Sequence, residues 1–178
     1  KSRKVENQTA FLKEIHYRVN DKNYFGIGFK NDSGGYEIRN KYSKICLGKK
    51  DISTIKNGKE SLRIFEGFFD FLSFKNIEDN LQKKSSDYII LNSVSMIPKI
   101  KNLIQNYQKV ELYFDNDNAG NRAVEMIKDA GENIEDCRIL YKNHKDLNEF
   151  LMSWEMRKRD TGREYEDLNK INTRKIGR

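Results

Sequence analysis

The sequence contains few residues that form disulfides or bind soft metals. Its only cysteines are Cys46 and Cys137, its only histidines are His16 and His144, and none of them has the spacing of a zinc site. We therefore expect no zinc within these residues. Both cysteines lie in apolar, strand-like runs, which favours buried thiols in a cytoplasmic protein.

Long apolar runs are also missing. No segment approaches the roughly 18 apolar residues of a membrane span, and no signal peptide can be recognised. These absences predict a cytoplasmic protein without a membrane partner. The sequence begins with Lys1 rather than with a methionine, which is typical of a fragment of a longer chain.

The net charge of +7 is distributed unevenly along the chain. Residues 1–65 contain 15 Lys and Arg against 7 Asp and Glu, residues 66–151 contain 11 against 15, and residues 152–178 contain 8 against 5. An acidic centre between basic flanks suits a cation-dependent site that acts on a polyanion. A general excess of lysine would give a similar total, so charge alone does not decide the function.

From residue 61 onward, strand-like and helical patterns alternate. The strand-like runs are LRIFEG (62–67), YIILNS (88–93), VELYFD (110–115) and CRILY (137–141). Helical spacing follows at 68–82, 95–107 and 118–131, and again from Leu147. Apolar strands that alternate with helices predict an α/β core at 61–151, with a four-stranded parallel sheet and helices on both faces.

The two ends of the chain have different patterns. Short strand-like runs, YFGIGF (24–29), GYEIRN (35–40) and SKICLG (43–48), are separated by turns. They predict that residues 1–60 form a small, basic, antiparallel β-rich leader subdomain. Residues 152–178 are rich in Arg and Lys and are predicted to form a basic C-terminal helix or tail.

Carboxylates occur at or just after the ends of the predicted core strands. Glu66 ends the first strand, Asp115 and Asp117 follow the third, Asp146 follows the fourth, and Asp70 lies one turn into the first helix. Ligands of an open parallel sheet bind at the carboxyl ends of its strands, so these groups should converge. A cluster of crowded carboxylates persists when a cation neutralises it, and oxygen ligands favour Mg²⁺ or Mn²⁺. Phosphoryl or nucleotidyl transfer is the natural chemistry of such a site.

Each carboxylate also has a purely structural interpretation. Glu66 and Asp70 would offset the dipole of the first helix. Asp115 would form an Asx turn, and Asp146 would cap the last helix. An isolated EGxxD or DxD string is a weak signal, but their joint occurrence at strand ends favours a metal site.

The motifs EGFFD (66–70), DNDNAG (115–120) and KDLNEFL (145–151) together resemble those of the Toprim domain, shared by topoisomerases, DnaG-type primases and related nucleases. The resemblance covers about residues 60–151. Asp115, Asp117, Gly120 and Ala123 keep a DxDxxGxxA spacing similar to that of the primase branch, as found in plasmid and mobile-element proteins. Asn148 departs from this pattern, because primases usually have an aspartate there.

This resemblance implies a Rossmann-like Toprim sheet and a DNA primase-like enzyme. Such an enzyme uses Mg²⁺ or Mn²⁺ to join nucleoside triphosphates into an RNA primer on a single-stranded DNA template, in plasmid or transposon replication with a helicase or relaxase as partner. Glu66, Asp115 and Asp117 would be catalytic, with Glu66 a ligand or a general acid/base. The metal set would be Glu66, Asp70, Asp115, Asp117 and Asp146. Lys145 would meet phosphate, and Gly67, Gly120 and Asn148 would support the turns.

Basic residues of the leader are candidates for nucleic-acid contacts. Arg39, Lys49 and Lys50 are predicted to bind phosphate. Further candidates are Lys30, Lys41 and Lys44, with Tyr36 or Tyr42 for base stacking. The alternative is that these lysines keep strand edges basic and so prevent aggregation.

Other functions use a similar acidic core. A Toprim nuclease or a topoisomerase-like enzyme would share the carboxylates, although none of the nine tyrosines has the context of a nucleophile. A nucleic-acid-binding mobilisation module with reduced catalysis is favoured by Asn148 and by the small size. A receiver-like phosphoacceptor fits less well, because its acidic pair follows the first strand.

Overall fold

The computed structural model describes residues 3–131 and 133–161, with side chains described as far as residue 157. The first sheet is antiparallel, and its strands pair in chain order. They are β1 (Leu12–Val19), β2 (Lys22–Lys30), β3 (Tyr36–Arg39) and β4 (Lys44–Leu47), preceded by a 3₁₀ helix at Glu6–Phe11. The predicted antiparallel leader is therefore confirmed. Cys46 in β4 is only partly buried, so its prediction as a buried thiol was wrong.

The second sheet has five strands in the order β5-β7-β6-β8-β9. They are β5 (Ser53–Ile55), β6 (Ser61–Phe65), β7 (Asp87–Ile90), β8 (Lys109–Tyr113) and β9 (Ile134–Asp136). Strands β7, β6, β8 and β9 are parallel, which confirms the predicted four-stranded parallel sheet. The sequence did not predict β5, which precedes residue 61 and pairs antiparallel with β7.

Helices cover both faces of this second sheet, as predicted. They are α1 (Phe68–Ile77), α2 (Ile97–Ile104), α3 (Asn118–Lys128) and α4 (Leu147–Thr161). Side chains alternate across the sheet, so Ile64 packs in a cluster with α2 and α3, whereas Phe65 packs in a cluster with α1 and α4. Part of the predicted C-terminal helix or tail is thus helix α4, and residues 162–178 lie outside the described residues.

The fourth parallel strand lies earlier than predicted. It is β9, whereas the apolar run CRILY forms a 3₁₀ helix at Cys137–Tyr141. The chain turns there because the Asp136 carboxylate accepts hydrogen bonds from the main-chain N–H and the guanidinium of Arg138. Cys137 and Tyr141 are nevertheless buried, and the Tyr141 hydroxyl donates to the Phe114 carbonyl at 2.9 Å. Cys137 and Tyr141 are therefore buried without strand pairing, whereas Ile139 between them is exposed.

Aromatic contacts hold the first sheet against the start of α1. The ring of Phe29 stacks on that of Phe68, with centroids 5.4 Å apart, and meets Phe71 edge-on at 5.9 Å. Because Glu66 and Gly67 directly precede α1, this packing brings the basic sheet next to the carboxyl end of β6. None of the helices among the described residues is long and apolar enough to span a membrane.

Candidate metal centre and adjoining cation pocket

Three carboxylates from separate elements meet at the carboxyl edge of the second sheet. Asp70 lies in the first turn of α1, Asp115 follows β8, and Asp146 immediately precedes α4. One ligand oxygen from each lies within 4.8 Å of the other two. Asp70 is buried and the other two are partly buried. This all-oxygen set fits Mg²⁺ or Mn²⁺.

Glu66 adjoins this group because β6 and β8 are neighbouring strands. Its Oε2 accepts a hydrogen bond from the main-chain N–H of Asp115 at 3.3 Å. Glu66, Asp70, Asp115 and Asp146 line one cavity of about 120 Å³, which we call the acidic cavity. The structure therefore brings together four of the five predicted metal ligands.

Burial and mutual repulsion favour the protonated forms of these carboxyl groups. Burial, followed by the charges of Glu66 and Asp146, raises the pKa of Asp115 to about 7. Burial, with the charges of Asp146 and Asp115, raises the pKa of Asp70 well above its usual value. Burial, with the charge of Asp117, also raises the pKa of Glu66. A bound cation would stabilise the ionised forms instead.

Asp117 lies outside the acidic cavity and caps α3. Its Oδ1 accepts hydrogen bonds from the main-chain N–H groups of Ala119 and Gly120, both at 2.9 Å, and its side chain is exposed. A carboxylate at this position also stabilises the helix dipole. The structure thus separates the two aspartates of the DxD motif, with Asp115 in the cavity and Asp117 at its rim.

The two predicted turn glycines have different local requirements. A Cβ atom on Gly120 would lie 2.0 Å from the carbonyl oxygen of Asp115, so only glycine allows α3 to approach the DxD loop this closely. A Cβ atom on Gly67 would lie 3.4 Å from Oδ2 of Asp70, which is an ordinary contact.

Three cations, Arg3, Arg39 and Lys44, line the same acidic cavity. Among the described residues, the nearest carboxylate to the Arg39 guanidinium is Glu37 at 3.7 Å, and none lies within 4.0 Å of Arg3 or Lys44. Burial lowers the pKa of Arg39, and burial together with the charge of Arg39 lowers that of Lys44. These poorly paired cations beside the carboxylates would be stabilised by an anion.

The other predicted phosphate contacts lie outside the cavity lining. Lys49 and Lys50 are exposed in the loop between β4 and β5. Lys145 is also exposed, although its charge is close enough to oppose the rise in the pKa of Asp115 that burial causes. Of these four predicted phosphate contacts, only Arg39 reaches the cavity, where it is joined by Lys44, one of the further candidates for nucleic-acid contacts.

A larger groove of about 750 Å³ adjoins the acidic cavity, and Arg3, Arg39 and Phe69 line both. We call it the aromatic groove, because its wall carries exposed, mostly aromatic side chains from β2 and from the turn between β3 and β4. These are Tyr24, Phe25, Ile27 and Tyr42, and the last is 84% exposed. The groove also contains Lys41, Asn40 and one carboxylate, Glu14.

A second acidic group, Glu111, Glu135 and Cys137, has a structural explanation. Glu111 is buried and already paired with Arg63 at 2.6 Å and Lys83 at 2.5 Å. Burial, followed by the charge of Glu111, raises the pKa of the Cys137 thiol to about 12. A neutral thiol beside a paired carboxylate is a poor metal ligand.

The family comparison agrees with this geometry. Residues 63–151 match the model of the Toprim-like family, which is half of the chain. The chain belongs to this family. Residues 1–48 match the model of a domain of unknown function (DUF8464). A search of curated protein sequences finds no match.

Solved structures of primases share the fold of this Toprim protein. The primase fragment of the bacteriophage T7 primase-helicase protein aligns with a TM-score of 0.57 and 18% identity, over 86% of this chain and 66% of that fragment. The T7 primase domains solved with the lagging-strand DNA polymerase align with a TM-score of 0.55 and 17% identity, over 86% of this chain and 81% of that one. The chain therefore has the fold of a Toprim primase domain.

Two residues at the Toprim site, Arg3 in the lining of the acidic cavity and Asn116 in the DxD loop, were not predicted from the sequence. Arg3 precedes every motif and carries no local signal of its role. Asn116 lies between the two aspartates of the DxD motif, where its side chain bonds to the loop before Asp146. Its position inside the motif was the signal that could have revealed it.

Proposed function

We propose that this Toprim protein is a primase-like nucleotidyltransferase that joins nucleoside triphosphates on a single-stranded DNA template. The observation that supports this most directly is the pairing of two opposite charge sets in one cavity. Four carboxylates line the cavity, and the cations Arg39 and Lys44 line the same space. A metal-bound triphosphate presents both the cation and the anion that such a cavity requires.

The metal would be held by Asp70, Asp115 and Asp146, with Glu66 as a further ligand or as the group that accepts the proton of the attacking hydroxyl. A bound Mg²⁺ or Mn²⁺ would neutralise charge on the triphosphate and lower the pKa of that hydroxyl. Arg39 and Lys44 would contact phosphate oxygens and orient the triphosphate. Asp117 would contribute negative charge from the rim while it fixes the start of α3.

The aromatic groove supports an unpaired nucleic-acid strand as the second substrate. Bases stack on exposed aromatic rings with little dependence on sequence, and nearby cations neutralise the backbone. Phe25 and Tyr42 provide such rings, and Lys41 lies among them. Because the groove adjoins the acidic cavity, a strand bound there would reach the metal site.

The likeness to the T7 primase domains supports the same proposal. In one of those structures the T7 domains are bound to an RNA/DNA hybrid and dTTP. We extend this chemistry to the present chain and propose that it acts in plasmid or mobile-element replication or mobilisation, with a helicase or relaxase as partner.

Primer synthesis tests the proposal directly. The chain would be incubated with single-stranded DNA, labelled nucleoside triphosphates and Mg²⁺ or Mn²⁺, with Asp115→Asn as the inactive control. Labelled oligomers that depend on template, metal and Asp115 would support a primase. Metal-dependent cleavage of the DNA without synthesis would favour the nuclease alternative, and binding without either reaction would favour a non-catalytic mobilisation module.

A further inference from the structure

Asn148 connects the N-terminal segment to the edge of the acidic cavity. Its Nδ2 donates to the carbonyl of Arg3 at 2.8 Å and to Oγ of Ser73 at 2.9 Å. Its Oδ1 accepts from Nη1 of Arg3 at 2.9 Å. The side chain of Asn148 is therefore engaged with Arg3 and α1, and the residue is only 1% exposed.

Only an amide can make this set of contacts. Its nitrogen donates while its oxygen accepts, so both the main chain and the guanidinium of Arg3 are held by one side chain. An aspartate has no donor for the Arg3 carbonyl or for Ser73 when ionised. It would also place another negative charge beside Asp70, whose Oδ1 accepts from the Asn148 main-chain N–H at 3.4 Å. Asparagine thus fits this position where the related primases usually have an acid.

The contacts with Asn148 place the Arg3 guanidinium where the acidic cavity meets the aromatic groove. It lies 4.9 Å from the centroid of the Phe69 ring, and both residues line both spaces. Within the described part of the chain, no carboxylate lies within 4.0 Å of it. Arg39 lines the same two spaces, so two cations share this junction.

We propose that Arg3, positioned by Asn148, binds a phosphate group at the junction of the acidic cavity and the aromatic groove. The proposal rests on the proposed function, because that phosphate would belong to the nucleoside triphosphate or to the nucleic-acid strand. A guanidinium offers several N–H donors in one plane, and Asn148 uses one of its nitrogens. The others remain suitable for phosphate oxygens.

The experiment measures three affinities on the 178-residue chain: Mn²⁺ alone, ATP with saturating Mn²⁺, and a short oligothymidylate. Arg3→Gln should weaken the binding of either ATP or oligothymidylate about tenfold, as expected for the loss of one charged contact. The affinity for Mn²⁺ alone should be unchanged. The ligand whose affinity falls is the one that supplies the phosphate bound by Arg3. Lys128→Gln, which removes an exposed cation of α3 outside both spaces, is the matched charge control.

Asn148→Ala tests the positioning role. It should lower the affinity for the same ligand as Arg3→Gln does. The Arg3→Gln, Asn148→Ala double variant should bind that ligand no more weakly than the weaker-binding single variant, since both substitutions remove the same positioned guanidinium. Ser73→Ala removes the other side-chain partner of Asn148 and should weaken phosphate binding less than Asn148→Ala does, because both side-chain contacts of Asn148 with Arg3 remain. Arg3→Lys keeps the charge and should recover part of the loss, which also covers the case in which Arg3→Gln folds poorly.

Several outcomes would overturn this inference. If Arg3→Gln and Lys128→Gln have the same affinities for ATP and oligothymidylate, Arg3 contacts no phosphate. Loss of Mn²⁺ affinity in Arg3→Gln would show instead that Arg3 maintains the structure of the acidic cavity. Wild-type protein that binds neither ATP nor oligothymidylate would overturn the proposed function together with this inference, whereas normal wild-type binding with an unaffected Arg3 variant would overturn the inference alone.

Discussion

Asn116 donates from its side-chain amide to the main-chain carbonyl of His144 at 2.8 Å. The same amide donates to the Tyr141 carbonyl at 3.0 Å, and the Asn116 main-chain N–H donates to the Lys145 carbonyl at 2.7 Å. These bonds tie the DxD loop to the loop that carries Asp146. The spacing between Asp115 and Asp146 is therefore set by a residue that is not itself a metal ligand.

Asn116→Ala should weaken Mn²⁺ binding by about tenfold, because residues that orient ligands typically contribute this much to metal affinity. The two loops would lose two hydrogen bonds and hold their carboxylates less closely. Calorimetric titration with Mn²⁺ measures the effect. Asn121→Ala is the control, since the Asn121 side chain bonds to Arg138 rather than to the loop of Asp146. Equal affinity in the Asn116 and Asn121 variants would contradict the prediction.

The two aspartates of the DxD motif should respond differently to substitution. Asp115→Asn removes a carboxylate from the acidic cavity, so it should abolish most Mn²⁺ affinity while the fold survives. Asp117→Asn should have a smaller effect on the metal, because Asp117 lies at the rim, and little effect on the helix, because asparagine is also a good N-cap. Mn²⁺ titration and thermal melting of both variants test this. Unchanged metal affinity in both would remove the case for a metal site here.

In metal-free protein, the pH dependence of stability should reveal the raised pKa of the buried carboxyl groups. Asp115 has a folded pKa of about 7 against an unfolded value of 3.8, so the folded state retains its proton where the unfolded state releases it. Stability should therefore fall as pH rises from about 4 to about 7 and then level off. The contribution of Asp115 is about 1–2 kcal/mol once partial solvent screening is allowed for.

Asp115→Asn should flatten this fall, and saturating Mn²⁺ should oppose it in the wild type. Denaturant unfolding at a series of pH values measures the free energy directly. If the free energy of unfolding depends on pH in the same way in the wild type and in Asp115→Asn, the surroundings do not raise the pKa of the Asp115 carboxyl group.

Glu66→Gln should reduce primer synthesis by at least about a hundredfold, because the position loses a ligand charge and a proton acceptor. Folding should change little, since the glutamine carbonyl can still accept from the Asp115 N–H that now bonds Oε2 at 3.3 Å. Synthesis assays and melting on the same protein separate the two effects. Glu125→Gln, on the exposed face of α3, controls for loss of one negative charge. A loss of stability with normal synthesis would assign Glu66 a structural role only.

The convergence of the carboxylates could be predicted because the carboxyl ends of parallel strands share an edge, whatever the loops do. The strand β5 could not be predicted, because its three residues are too few to show a periodic pattern. CRILY was assigned as a strand because an apolar run indicates burial, and a 3₁₀ helix buries Cys137 and Tyr141 equally well. Arg3 could not be assigned because its partner Asn148 lies 145 positions away. Local pattern thus predicted the framework, whereas contacts between distant segments completed the site.

The aromatic groove yields a prediction about how a single strand binds. Phe25→Ala and Tyr42→Ala should each weaken oligothymidylate binding by about 1–3 kcal/mol if a base stacks on that ring. Both side chains are largely exposed, at 63% and 84%, so folding should be unaffected. Fluorescence anisotropy with a labelled oligonucleotide measures the affinity. Leu47→Ala, on β4 and exposed outside the groove, is the apolar control.

Charge reversal in the leader decides which lysines guide the strand. Lys41 lies in the aromatic groove and Lys44 in the acidic cavity, whereas Lys49 and Lys50 line neither. Reversing Lys41 and Lys44 together should weaken oligonucleotide binding and make its salt dependence shallower, because fewer counterions are released. Reversing Lys49 and Lys50 should have the smaller effect, and a larger one would place the strand across the β4–β5 loop. If neither pair changes affinity or salt slope, the basic leader does not guide the template.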